Sequence, residues 1–375
     1  MKIAFFTDAL PPHFDGVVNS ILHLIDTLEK EKVDFRCFSP FMPGEDVEWR
    51  ERVSKIFSIP FILYSDYKLA IPYVNRLSSQ LDAFHPDLVH VVSPTLLGFY
   101  GLKYAKKRNI KVVASYHTHF VSYLTYYGFH KNLERVGWSY LRWFYNQFDR
   151  VYVPSLNVSQ ELKRYGFKRI ELWERGVDLN FFSPSFRSEE LRKSLGAADK
   201  PLLLFVGRLV KEKDLDDLVS VDRILKRRGH DFKLAVVGDG PMKEDLEEQI
   251  PDAIFSGFLK GNDLSKWYAS ADLFVFPSTT ETFGNVILEA FASGLPAIVA
   301  NKGGVVDLVT SGQDGYVAKA NSPRDFAAKI GRLLKNREKM EQMARGAREK
   351  ALDYGWDVIN MRLLQSYKDL IKKKK

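Results

Sequence analysis

Glu281 and Glu289 stand eight residues apart, the first in a run of polar and small residues from Pro277 to Asn285, the second inside the apolar pattern that follows. With Glu281 in a loop beyond a strand and Glu289 in the first turns of a helix, two such acids can address different hydroxyls of one ligand. A diphosphate would then lie between them on the helix N-terminus. Arg208 and Lys213 supply the opposite charge, Arg as a planar fork for phosphate and Lys as a point charge. Both follow the apolar run Leu202–Val206 and Gly207, and Gly238-Asp239-Gly240-Pro241 forms a second tight turn after Lys233–Val237. His117 and His119 follow the apolar run Lys111–Ser115. A histidine just beyond a strand is placed for catalysis, and an i, i+2 pair can ligate a metal, but no carboxylate or cysteine lies near them in sequence. Gly16 stands alone before a helical pattern, so the three-glycine dinucleotide fingerprint is missing and a nicotinamide or flavin fold is disfavoured. Each feature has a plainer alternative: a turn glycine, a structural histidine, a loop acid and a helix-surface acid.

These residues need strands and helices to carry them. Apolar runs at Lys2–Phe6, Val33–Phe38, Leu88–Val92, Lys111–Ser115 and Arg150–Val153 recur at α/β spacing. A second series follows at Leu202–Val206, Lys233–Val237, Ala253–Phe255, Asp272–Phe276 and Pro296–Ala300. Their near-continuous apolar character is that of parallel strands buried on both faces. Between Val17 and Leu28, apolar residues at 17, 18, 21, 22, 24, 25 and 28 follow a helical period. Strand and helix alternating twice over predicts two doubly wound α/β domains, residues 1–175 and 176–355, each binding ligand at the carboxyl ends of its strands. The join falls at Arg175–Ser185, and a final helix, 356–375, is expected to pack back on the first domain.

A chain of 375 residues with 45% hydrophobic and 27% charged residues suits two globular domains and excludes disordered and fibrous classes. No apolar run approaches the length of a membrane span, and Ile3–Phe6 is too short for a signal-peptide core. The lone Cys37 permits no intrachain disulfide, so a cytoplasmic protein is expected. The formal net charge of +8 resides in Arg324–Lys375, where 15 Lys and Arg face 7 Asp and Glu. A second basic patch comprises Lys103, Lys106, Lys107, Arg108 and Lys111. Such patches attract nucleic acid or anionic membrane, or are solvated helix faces. From Tyr116 to Tyr152, 13 of 37 residues are Phe, Trp or Tyr. That density suits an interfacial belt, an apolar groove or a packed core helix.

Taken together, the motifs resemble those of the retaining glycosyltransferases of family 4. Glu281-Thr-Phe-Gly-Asn-Val-Ile-Leu-Glu289 matches the family's Glu-x7-Glu pattern. Gly207-Arg208 with Lys213, Gly238 to Pro241 and Phe255-Ser256-Gly257-Phe258 stand where its other donor elements stand. Asp15-Gly16-Val17 matches its N-terminal glycine loop, and Tyr116-His117-Thr118 its histidine segment. The matches come in family order across roughly residues 1 to 360. The resemblance implies the GT-B fold, two Rossmann-like domains facing a cleft with the C-terminal helix crossing back. It implies transfer of a hexose from a UDP- or GDP-linked donor with retention of configuration, without a cofactor and without an essential metal. By the same resemblance Arg208 and Lys213 hold the diphosphate, Glu281 the transferred sugar and Glu289 the ribose. Phe283, Gly284, Asn285 and Val286 offer the donor backbone contacts, Gly257 and Phe258 flank the base, Gly16 lets the first domain approach the phosphates, and His117 lines the reaction centre.

The segments Tyr116–Tyr123, Tyr126–Gly128, Tyr140–Asn146 and Trp173–Asp178 resemble the lipid-directed branch, which includes sulfoquinovosyl-diacylglycerol synthases and glycolipid α-mannosyltransferases. The expected acceptor is therefore a membrane glycerolipid or glycolipid, met by His13, Asp15, Thr118, His119 and Tyr123, with an anionic membrane surface as a partner. Asp15 and His119 depart from the residues common in that branch. Three alternatives stay open at this level: a polysaccharide or small soluble acceptor, a nucleotide-sugar 2-epimerase, and a non-catalytic binding module. No dedicated nucleic-acid motif is present.

Overall fold

The computed structural model describes residues 1–12, 16–61, 64–116, 131–281 and 283–373. The chain divides into two compact units, Met1–Glu174 with Asp357–Lys375, and Arg175–Trp356.

In the first unit the strands are β1 (Lys2–Phe6), β2 (Asp34–Ser39), β3 (Val53–Lys55), β4 (Ser58–Phe61), β5 (Tyr64–Ala70), β6 (Leu88–Val91), β7 (Lys111–Ser115), β8 (Arg150–Val153) and β9 (Ile170–Leu172). Seven of them form one parallel sheet in the order β3-β2-β1-β6-β7-β8-β9, and β4 and β5 form an antiparallel pair. The helices are α1 (Gly16–Lys30), α2 (Val74–Phe84), α3 (Leu96–Lys107), α4 (Lys131–Tyr145) and α5 (Leu156–Arg164). The chain winds outward from β1 through β2 to β3, then returns to β6 on the other side of β1. The carboxyl ends of β1 and β6 thus flank a topological switch point, the place where open α/β sheets bind ligands.

The second unit repeats the plan. Its strands are β10 (Leu202–Val206), β11 (Lys233–Val237), β12 (Ile254–Gly257), β13 (Leu273–Phe276), β14 (Ala297–Ala300) and β15 (Gly315–Ala318), in the order β12-β11-β10-β13-β14-β15. Its helices are α6 (Glu189–Ser194), α7 (Leu215–Arg227), α8 (Lys243–Gln249), α9 (Gly261–Ser270), α10 (Asn285–Ala292), α11 (Pro323–Leu334) and α12 (Arg337–Leu352). Here the switch point lies between β10 and β13. Every residue of β10, β13 and β14 is buried, as the apolar runs require of strands covered on both faces.

The apolar runs account for the central strands. They miss β3, β9 and β15, which lie at sheet edges, and the β4–β5 pair. β3, β9 and β15 are three or four residues long and only half covered, so no continuous apolar run marks them.

The last helix, α13 (Trp356–Lys372), is bolted to the first unit by polar contacts. Asn360 donates to the His23 carbonyl at 2.9 Å and to Thr27 Oγ1 at 3.1 Å. Arg150 donates to the Ser366 carbonyl at 3.1 Å, and Tyr367 Oη lies 2.7 Å from His90 Nδ1. Burial pushes the His90 imidazole down to about 3, so it is a neutral strut.

Candidate functional site

Two loops at the switch point of the second unit carry the charged residues. The loop after β10 runs through Arg208 to the single 3₁₀ turn Lys211–Lys213, and the loop after β13 runs through Glu281 into α10. They are laced together. Asp214, at φ +53°, accepts from the Thr279 N–H and from Thr279 Oγ1, both at 2.8 Å. Thr280 Oγ1 donates to the Glu212 carbonyl at 2.9 Å, and the Glu281 carbonyl accepts from the Gly304 N–H at 2.7 Å. Lys213 and Glu281, separated by 68 residues of chain, thereby meet in an ion pair, each side chain about a fifth exposed. The Lys213 ammonium also lies 5.8 Å from the Phe276 ring centroid.

Arg208, five residues before Lys213 in the same loop, is exposed and has no ion-pair partner among the described residues. Its loop is held by backbone bonds from Leu209 N–H to the Asp239 carbonyl at 2.9 Å and from Met242 N–H to the Leu209 carbonyl at 3.0 Å. Gly238 makes this crossing possible, since a Cβ there would fall 1.9 Å from the Gly207 carbonyl oxygen.

Gly284 opens α10 at φ +101° with no side-chain cap. The N-terminal amides of α10 are therefore not capped by its N-cap residue. Phe283 and Gly284 are buried, while Asn285 and Val286 are half-buried. One turn on, the Glu289 carboxyl accepts from Tyr268 Oη at 2.8 Å. The side chain keeps an accessible edge, but its carboxyl is desolvated. Burial pushes it up to about 7, opposed by the Tyr268 hydrogen bond. A carboxyl so perturbed at a switch point is a candidate functional position. Phe258, just beyond β12, is 73% exposed, and Gly257 before it has φ +70°. β12 lies two strands from β10, so Phe258 stands on the order of 10 Å along the same sheet edge.

In the first unit Gly16 is the exposed first residue of α1, where its carbonyl accepts from Ser20 Oγ at 2.8 Å. His13, Asp15, His117, Thr118, His119 and Tyr123 lie outside the described residues. Asp8 occupies the switch point of this unit. It is 5% exposed, Thr95 Oγ1 donates to its Oδ2 at 2.6 Å, and its Oδ1 has no partner among the described residues. Burial pushes its carboxyl up to about 6. Sequence reading passed over Asp8, although an acid immediately beyond the first strand was the available signal.

The aromatic and basic segments separate into core and surface. Trp138, Phe144, Tyr145, Phe148 and Tyr152 are buried, so much of the aromatic density is packing rather than an interfacial belt. The reason is that α4 turns this face onto the sheet; Trp138 stacks on Tyr165 at 3.9 Å between centroids. Val136, Tyr140 and Trp143, at helical spacing, are exposed on its other face together with Leu96 of α3. Of the basic patch, Arg108 pairs with Asp82 at 2.5 Å and Lys111 with Asp149 at 3.4 Å.

Among the described residues no three metal-ligating side chains converge. Among the described residues no helix is long and apolar enough to cross a membrane.

Comparison with known proteins agrees with both halves of this architecture. Residues 14–181 match the family described as Glycosyltransferase Family 4, and residues 187–350 match Glycosyl transferases group 1. The chain is 38% identical to the sulfoquinovosyl transferase SQD2 of Arabidopsis thaliana over 369 residues, covering 95% of this chain and 71% of that protein. It is 33% identical to a GDP-mannose-dependent alpha-mannosyltransferase of Mycobacterium tuberculosis, covering 98% and 96% of the two chains. Among solved structures, a sucrose-phosphate synthase from Thermosynechococcus elongatus superimposes with a TM-score of 0.78 at 20% identity, covering 99% of both chains. The two doubly wound sheets, the matched families and the full-length relatives together place this chain among the family 4 glycosyltransferases of GT-B fold.

Proposed function

We propose that this glycosyltransferase moves a hexose from a UDP- or GDP-linked donor to a hydroxyl of a membrane glycerolipid or glycolipid, with retention of anomeric configuration. The observation that carries the donor half is the meeting of Lys213 and Glu281 on the two loops that also carry exposed Arg208 and lead into α10, whose N-cap Gly284 supplies no side-chain cap. Cations and helix N–H groups fixed at one place can stabilise a leaving diphosphate electrostatically, with no reorganisation at the moment of reaction. In this reading Arg208 and Lys213 hold the diphosphate, and Glu281 takes a sugar hydroxyl once Lys213 turns to phosphate. Phe283, Gly284, Asn285 and Val286 present the α10 backbone, Glu289 takes the ribose hydroxyls, and Gly257 and exposed Phe258 meet the base. In this reading the second unit takes the nucleotide sugar and the first the acceptor, and Gly16, His13, Asp15, His117, Thr118, His119 and Tyr123 keep the donor and acceptor roles that the family resemblance implies. No cofactor or essential metal is invoked.

The lipid half is supported by relatives named for sulfoquinovosyl and mannosyl transfer and by the exposed face Leu96, Val136, Tyr140 and Trp143. Exposed Lys103, Lys107 and Arg135 on the same two helices suit an anionic leaflet. The test is a thermal-shift series with UDP, GDP and ADP, followed by transfer from the matching nucleotide hexose into dioleoylglycerol and phosphatidylinositol micelles. Expected are stabilisation by one of the first two nucleotides and an α-linked lipid product from an α-linked donor. Stabilisation by ADP alone, or transfer only to soluble glycans, overturns the corresponding half.

A further inference from the structure

We propose that Asp8 is an acceptor-contacting residue, its Oδ1, which has no partner among the described residues, receiving a hydrogen bond from the hydroxyl to which the sugar is transferred. This rests on the lipid-acceptor reading and names a contact within it.

The argument starts from cost. A buried carboxylate oxygen without a partner is destabilising, and most structural carboxylates avoid it or are neutralised by a cation. Asp149 binds Lys111 through Oδ1 and the Val112 N–H through Oδ2. Asp272 holds Arg192 and the Leu202 N–H on Oδ2 and Arg187 on Oδ1. Asp222 is as buried as Asp8 and also has an unpartnered oxygen, but Lys226 neutralises it at 2.9 Å, and Asp217, whose Oδ2 is likewise unpartnered, is only half-buried as a residue. Among the described residues the Asp8 carboxyl has only the neutral Thr95 hydroxyl.

The place of Asp8 says what the unpartnered oxygen is for. It lies just past β1, and Thr95 lies between β6 and α3, so their hydrogen bond spans the two carboxyl ends that flank the switch point. The same segment leads to the apolar face. Thr95 is the N-cap of α3, Leu96 beside it is 53% exposed, and the Pro94 carbonyl accepts from Tyr140 Oη at 3.2 Å. A hydrogen-bond acceptor and an exposed apolar face joined through Pro94–Leu96 fit an amphiphile: a hydroxyl at Asp8, a hydrocarbon body over Leu96, Tyr140 and Trp143.

The experiment compares wild type with Asp8→Asn in three readouts: kcat/KM for dioleoylglycerol in mixed micelles, the thermal shift given by the donor nucleotide, and the melting temperature at pH 8. The substitution keeps the shape and the Thr95 bond but removes the charge. We expect kcat/KM for the lipid to fall at least tenfold, the nucleotide shift to persist, and the melting temperature to rise by a few degrees, since a carboxylate kept for a ligand costs the free protein stability. Retention of kcat/KM within twofold, or a lower melting temperature, returns Asp8 to a structural role and overturns the proposal. If wild type transfers nothing to the lipid, the lipid reading fails, while the melting comparison still decides whether Asp8 is held at a cost.

Discussion

Lys213 and Glu281 each look like a single-purpose residue in the sequence, yet they neutralise one another in the fold. The pair is only partly exposed, so breaking it leaves a charge that cannot be fully solvated. Lys213→Ala should cost roughly 1 kcal/mol of stability, because the pair retains some access to water, but should lower kcat by a factor of about 10²–10³, the usual scale for removing one group that stabilises a leaving charge. Near-normal single-turnover rates would remove Lys213 from the diphosphate site. Glu289 carries a pH prediction. Its folded value, about 7, lies above that of an exposed glutamate, so the free protein loses stability as pH rises toward 7 and is flat above it. The ribose hydroxyls need the carboxylate as acceptor, so nucleotide affinity should move the other way and fall as pH drops below 7. Calorimetric titration with the nucleotide diphosphate at pH 5.5 and 8 reads this directly, and Glu289→Gln should flatten the dependence. An affinity that is weaker at pH 8 would contradict the ribose role.

Elements decide whether these side chains can meet. α10 can start where it does only because Gly284 takes φ +101°, and a Cβ at that residue would lie 2.7 Å from Val305 Cγ1. Gly284→Ala should therefore destabilise by about 2 kcal/mol through backbone strain and overpacking. It should also shift the helix N-terminus enough to abolish nucleotide-induced stabilisation at concentrations that saturate wild type. Retained stabilisation with lowered melting temperature would separate the glycine's structural role from the site. α4 shows how one helix serves two purposes: Trp138, Phe144 and Tyr145 build the core, while Val136, Tyr140 and Trp143 face outward. Helical spacing alone does not say which face meets the sheet, so composition overstated the surface.

For the molecule as a whole, charge was the least legible property. The patch from Lys103 to Lys111 contains no acid, but Asp82 and Asp149 arrive from other elements and engage Arg108 and Lys111. Membrane attachment should therefore depend more on the apolar face than on the basic helix. The variant Val136→Ser/Trp143→Ser should lower co-sedimentation with vesicles of phosphatidylglycerol and phosphatidylcholine several-fold and leave the melting temperature within about 1 °C, both residues being more than half exposed. Wild-type binding that vanishes at 0.5 M salt, with the variant unaffected, would assign attachment to charge instead.

The central strands, the two doubly wound sheets and the order of the motifs were legible in the amino-acid sequence, because strands buried on both faces are written as unbroken apolar runs and turns as glycine and proline. The edge strands β3, β9 and β15 were not, being three or four residues long and half covered, whereas the edge strand β12 was met by the run Ala253–Phe255. Which residues meet was decided only by tertiary structure. The Lys213–Glu281 pair, the Glu289–Tyr268 bond and the Asp8–Thr95 bridge span 68, 21 and 87 residues of chain. Those distances along the chain are closed by sheet order, and the raised carboxyls of Glu289 and Asp8 follow from burial that only the packed fold imposes.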